Sequence, residues 1–274
     1  MNKDGIPVVT ENIIFPLCLL SLEYESSQDK ANKLISYSVV EYASSLEGSV
    51  DLEDGNYYFI EYQNEMEGII KTLLCNLYYE DSIEVDTAIK NHTELKEFVN
   101  RFENTYGRDS LVKVHSGLVK DLANEKFSER DFNIYCGLRS IVGEKKICRV
   151  TNRNIAIRSK GCKSKKVYDN FGGELLTDKQ ILWSIKKLEA RNFFNRLTAC
   201  KRLTFYSFKI KNKENFMEEI LNNVVSKKAT KPSLSNELDK RINNKLNKLQ
   251  TKKNKKQNCN IVSMSEYIRA KQCS

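Results

Sequence analysis

Ser110-x-x-Lys113 and Ser184-x-x-Lys187 each set a hydroxyl one helical turn from an amine, the pairing by which a lysine activates a serine nucleophile. Neither brings the companion residues of such a motif. Gly161-Cys162-Lys163-Ser164 puts a glycine, a cation and a hydroxyl in sequence, but the G-x-x-x-x-G-K-S/T spacing that cradles phosphates is absent. Asp51 and Glu53 ahead of Gly55 begin a calcium loop without its third ligand before the glycine or its distal Glu. No other nucleophile is paired with a base, and the chain is not expected to be an enzyme.

The eight cysteines, at positions 18, 75, 136, 148, 162, 200, 259 and 273, form no C-x-x-C pair, and only His92 and His115 could join them. A tetrahedral zinc site draws on such pairs, so neither a metal nor another cofactor is expected. Reduced thiols in a cytoplasmic protein are the simplest account. The apolar run from Ile13 to Leu22 contains Pro16, follows Asp4 and Glu11, and has about half the length a bilayer requires. It is read as neither a membrane span nor a signal peptide.

The chemistry the chain does offer is recognition of a polyanion. Over residues 177–192, at 100° per residue, Ile181, Ile185 and Leu188 share one side, with Leu182 flanking. Lys179, Gln180, Trp183, Lys186 and Lys187 gather opposite. Lysines suit phosphates or guanine edges and glutamine suits adenine, which is what a helix entering the major groove needs. An ordinary amphipathic surface helix would also turn lysines outward; the basic β-hairpin that follows separates the readings. Arg196, Lys201 and Arg202 lie on or beside its tip, where they can grip backbone phosphates. Trp183 suits DNA, the acidic half of the chain, or a dimer partner.

Charge supports the same division of labour. Residues 1–130 hold 12 Lys+Arg against 24 Asp+Glu, whereas residues 131–274 hold 33 against 12, which gives the net +9. Such asymmetry assigns the polyanion to the basic half.

The elements that must position these residues read as mainly helical. In the acidic half, apolar stripes mark helices over 28–46 (Ala31, Leu34, Ile35, Val39, Tyr42, Ala43, Leu46), 64–79 (Met66, Ile69, Ile70, Leu73, Leu74, Leu77) and 93–106 (Leu95, Phe98, Val99, Phe102). Gly48 and a turn over 51–56 precede a short strand expected at 57–62. In the basic half, Ser128 caps a helix that Gly143 stops, and Thr151 caps a shorter one closed by Gly161. A third basic segment, 163–171, runs to Gly172-Gly173, and Thr177-x-x-Gln180 is a capping box. Runs 193–198 and 203–208 form the hairpin around a loop at 199–202. A helix at 214–225, a linker at 227–233, a stripe of Leu234, Leu238, Ile242, Leu246 and Leu249, and the run Lys252 to Lys256 complete the chain.

From Leu176 to Phe194, and on through Arg196 to Ser207, the sequence resembles the winged helix-turn-helix superfamily, over about 80 residues. The shared pattern is a capped helix with Ile-x-x-Leu near its end, a short polar exit and a hairpin. The resemblance implies that Lys179, Gln180, Trp183 and Lys187 face the groove, and that Thr151, Asn152 and Arg153 sit near phosphates. Two features depart from it: residues 161–176 make a long connection before the recognition helix, and Asn192 stands where glycine is usual. Either 152–160 or 163–171 is then the positioning helix.

The expected architecture is mainly α with a small β-hairpin: an acidic helical domain (1–126), a winged helix-turn-helix domain (127–210) and a basic helical extension, partly disordered (211–274). The expected partner is double-stranded DNA, bound by a transcriptional regulator or by a replication initiator of phage or plasmid type. The acidic half would serve a homodimer or a protein partner. A protein-interaction adaptor and an RNA-binding protein are the alternatives.

Overall fold

The structure, a computed structural model, describes residues 12–45, 57–77, 83–171, 174–200 and 203–225, with positions 244 and 251. In chain order these form β1 (Asn12–Pro16), a 3-10 turn (Leu17–Ser21), α1 (Ser27–Ser45), α2 (Tyr57–Leu77), α3 (Val85–Tyr106) and β2 (Leu111–His115). There follow α4 (Ser116–Ala123), α5 (Glu129–Val142), β3 (Cys148–Arg149), α6 (Asn152–Ser159), α7 (Lys165–Phe171), α8 (Asp178–Ala190), β4 (Asn195–Cys200), β5 (Leu203–Ser207) and α9 (Lys213–Val225). The protein is mainly helical with small antiparallel sheets. No helix among the described residues is long and apolar enough to cross a membrane.

The strand expected at 57–62 is helix instead, the first turns of α2. A short aromatic run has no distinctive period of its own, and nothing between it and Asn64 breaks a helix. Extending an existing helix adds a hydrogen bond per residue without a new nucleus, so the run joins its neighbour. The helix expected from residue 93 likewise begins earlier, at Val85, with Gly107 closing it. The turn at 51–56, Gly172 and Gly173, the linker at 227–233, the leucine stripe and the run from Lys252 lie outside the described residues.

The chain forms two compact units. The first takes residues 1–143 and 150–191, so the domain boundary expected at 126/127 falls inside it. There β1 pairs antiparallel with β2, from Asn12↔His115 to Pro16↔Leu111. Ile13, Phe15, Val112 and Val114 point into the core while Ile14 and Leu111 face out, the alternation a one-sided sheet demands. On this pair lie α1 and α4, with α3 across α1. Leu34, Ile35, Val39, Ala43, Leu95, Val99 and Phe102 fill the interior.

α5 starts at its Ser128 cap, whose hydroxyl accepts from the Asp131 N–H, and ends at Gly143 with φ +54°. It packs on α6 so closely at Gly137 that a Cβ there would meet the Ser159 nitrogen at 2.7 Å. Lys30 of α1 is fully buried and donates to Glu129 Oε1 (2.6 Å) and Asn133 Oδ1 (2.9 Å) at the start of α5. Its ammonium also sits 4.9 Å from the Tyr24 ring centroid. α6 packs on both α5 and α8, and α5 packs on α8 as well. α7 packs on α6 and carries Phe171 to Phe102 and Tyr106 of α3, at 5.7 and 6.1 Å between centroids. It is an insertion between the two, which explains the long connection.

The second unit takes residues 144–149 and 192–274. Its sheet has the order β3-β5-β4, with Cys148↔Tyr206 on one side of β5 and Asn195↔Ser207 to Cys200↔Leu203 on the other. The hairpin strands thus approach more closely than the four-residue loop expected from sequence, with an irregularity between Thr198 and Cys200. Phe194 meets Tyr206 and Phe208 edge-on at 5.6 and 5.5 Å, and α9 adds Phe216, Met217 and Ile220 to this core. Asn195 Nδ2 donates to the carbonyls of Ile210 and Lys211, pinning the exit of β5 beside the start of β4.

Candidate nucleic-acid interface

α8 owes its position to its two ends and one side. Thr177 Oγ1 accepts from the Gln180 N–H, and Gln180 Oε1 accepts from the Thr177 N–H at 2.9 Å, completing the capping box. At the other end the chain leaves through Asn192 at φ +59°, the left-handed conformation an asparagine tolerates. Ile181, Ser184, Ile185 and Leu188 are buried. The outward side carries Lys179, Leu182, Trp183 and Lys186, and Trp183 is 58% exposed.

The candidate residues divide into three groups. Lys179, Trp183 and Lys186 share one face, and neither lysine makes an ion pair among the described residues. Gln180 and Lys187 are committed within the unit. With its carbonyl oxygen in the cap, Gln180 would have to give up the capping box to contact adenine through both ends of its amide. Lys187 donates to Asp131 Oδ2 at 2.7 Å, and Asp131 is fully buried, so this ammonium turns toward α5 rather than outward as the helical wheel places it. At the start of α6, Thr151 Oγ1 caps the Asn154 N–H, Asn152 is half-buried and Arg153 is exposed. Arg196, half-buried on β4, belongs to the second unit; Lys201 and Arg202 lie outside the described residues.

Sequence reasoning missed the polar cluster behind Trp183. Arg130 Cζ stands 5.3 Å and Lys187 Nζ 5.5 Å from the Trp183 ring centroid. Burial would push the Asp131 carboxyl up, but Lys187, Ser184 and Ser128 outweigh it and hold the group below the usual carboxylate range. The Ser184 hydroxyl stands beside this carboxylate without meeting hydrogen-bond geometry: Ser184 Oγ and Asp131 Oδ1 are both buried and lack a partner. The one available signal was Asp131 in the first turn of α5, which local spacing reads as an ordinary helix-start acid. Its partner lies 56 residues away.

The other spacings that resemble chemistry are occupied structurally. Lys163 Nζ donates to the carbonyls of Gly107 and Arg108 at 2.6 and 2.7 Å. Cys162 is buried, its thiol pushed up to about 11 by burial and by Asp109. Gly161, at φ +77°, lies against Ser21, where a Cβ would meet the backbone nitrogen at 2.8 Å. Ser110 Oγ accepts from Arg158 at 2.8 Å, and the Lys187 that follows Ser184 is bound to Asp131. The aromatic rings of the hairpin, Phe205, Tyr206 and Phe208, are buried. Among the described residues no three His, Cys, Asp or Glu side chains converge as a metal site. Compared with protein-family models, curated proteins and solved structures, the chain matches none.

Proposed function

We propose that this chain binds DNA, with the outward face of α8 as the contact surface. The observation that carries this reading is the pair Lys179 and Lys186, exposed, without ion-pair partners among the described residues, and on one side of a helix fixed by its cap and by α5 and α6. Unpaired cations on a rigid element are what backbone phosphates require. The exposed Arg153 at the start of α6 adds a third cation of the same unit. The capped helix, the exit through Asn192 and the hairpin are the features on which the resemblance to winged helix-turn-helix proteins turns, and β3 adds a strand to that hairpin.

Binding of a random duplex, measured against salt, tests this. Several phosphate contacts give a log–log slope of about −0.9 for each one, so affinity falls steeply above roughly 50 mM salt. A flat response, or no binding at low salt to either this duplex or a single strand of the same length, removes the proposal. A protein-interaction adaptor is the second reading, favoured by Leu182 and Trp183, large apolar side chains 39% and 58% exposed on the same helix. It predicts a partner that covers Trp183 while DNA is ignored. RNA binding through hairpin rings finds no support, because those rings are inside the core.

A further inference from the structure

We propose that Trp183 is a stacking platform for an unpaired DNA base, so that the α8 surface takes single-stranded DNA with Lys179 and Lys186 on the flanking phosphates. The inference rests on the DNA-binding reading and names the form of DNA the site accepts.

Trp183 is held by its own chain and still exposed. Arg130 and Lys187 lie over its ring at 5.3 and 5.5 Å from the centroid, within cation–π range. The side chain nevertheless keeps 58% of its surface open to solvent. Lys187 is itself anchored by buried Asp131, so the support does not sway with solvent. Along the helix, Lys179 precedes Trp183 by about 6 Å of axial rise and Lys186 follows by about 4.5 Å. The three side chains fall within an arc of about 60°. An aromatic ring between two unpaired cations on one stripe matches a strand that alternates base and phosphate.

The shape of the contact favours a strand over a duplex. Inside a groove, paired bases present edges, and an indole can answer an edge only with its single N–H or with apolar contact to a methyl group. A ring face is matched by another ring face, which only an unstacked base exposes. A dry protein interface would have to strip water from Lys179 and Lys186, which are the residue type most depleted from interface cores.

Trp183 is the chain's single tryptophan, so its emission reports on this site alone. The full-length protein is titrated at about 50 mM salt with an oligothymidylate of about 20 nucleotides and with a blunt duplex of the same length. Emission is followed alongside the anisotropy of end-labelled DNA. The expected result is saturable quenching by the single strand and tighter binding of it than of the duplex. Trp183→Ala should weaken single-strand binding about ten-fold or more, and Trp183→Phe, which keeps a ring, should recover much of it. Circular dichroism verifies that both variants fold. DNA binding that leaves Trp183 emission unchanged, or that Trp183→Ala does not weaken, overturns the stacking inference while the DNA-binding reading stands. Absence of binding to either DNA overturns both.

Discussion

The first turn of α5 carries two acids that pair with different helices of the first unit. Glu129 reaches Lys30 of α1, and Asp131 reaches Lys187 of α8. In the first pair the cation is buried and its acid is half-exposed; in the second the anion is buried and its cation is partly exposed. Lys30 is enclosed by Glu129, Asn133 and the Tyr24 ring, yet burial outweighs these partners and pulls its ammonium below the usual lysine value. At Asp131 the balance reverses: the hydrogen bonds win over burial, although Oδ1 has no partner. A buried charge is therefore tolerated in two ways in one helix turn. The Lys30 site is closed and ties the acidic half to α5. The Asp131 site adjoins the exposed Trp183 and holds the cation that steadies it.

The comparison is broken most directly by removing each exposed partner in turn. Lys187→Met should have the largest effect, about 3 kcal/mol of lost stability in denaturant unfolding, because it strands a buried carboxylate. The partial exposure of Lys187 puts this at the lower end of the range for buried pairs. An unchanged midpoint would mean that Asp131 is not charged in the fold. Glu129→Gln should cost less, about 1 kcal/mol, since the amide oxygen still accepts from Lys30 and Asn133 remains. If it proves the worse of the two, the closed site and the open site have been assigned the wrong way round.

Acid titration sharpens the same contrast. The Asp131 carboxyl is held below its ordinary value of 3.8, so its contribution is complete above that pH and is lost as pH falls through the lower folded value. Asp131→Asn should flatten the acid limb of the stability–pH curve, whereas Glu129→Gln should affect it less. Lys30 is also depressed in the fold, so stability again rises with pH, but in the alkaline range: the penalty of burying its ammonium is relieved as pH climbs toward 10.5, the ordinary lysine value. The smallest effect on folding belongs to Lys179→Ala with Lys186→Ala, which should leave the unfolding midpoint within about 0.5 kcal/mol of the parent. That double variant should reduce the salt slope of DNA binding by about two. Lys187→Ala is unsuited to this test, because it would unsettle Asp131 as well.

How much of the site could be read in advance depended on the range of the interactions. The capping box of α8, the Ser128 and Thr151 caps and the apolar side of Ile181, Ile185 and Leu188 were legible, because each is set within one or two turns of chain. The wheel also placed Lys179, Trp183 and Lys186 together correctly. It misplaced Lys187, since a wheel describes an isolated helix and knows nothing of a carboxylate on α5. It also gave Gln180 two roles that its single carbonyl oxygen cannot fill at once. The start of α2 was misread because a six-residue run of four aromatics, Ile60 and Glu61 carries no period that separates strand from helix.

The sequence by itself determined the local order of the molecule: the helix caps and stops, the hairpin and the excess of cations after residue 130. Those depend on neighbours along the chain, whose geometry covalent spacing largely fixes. Tertiary structure decided the rest: that α5 and α6 together support α8, that Lys187 turns inward while Lys179 and Lys186 stay out, and that Trp183 is exposed over two cations. Burial and long-range charge pairing join residues separated by scores of positions, and spacing along a chain carries no record of such a meeting.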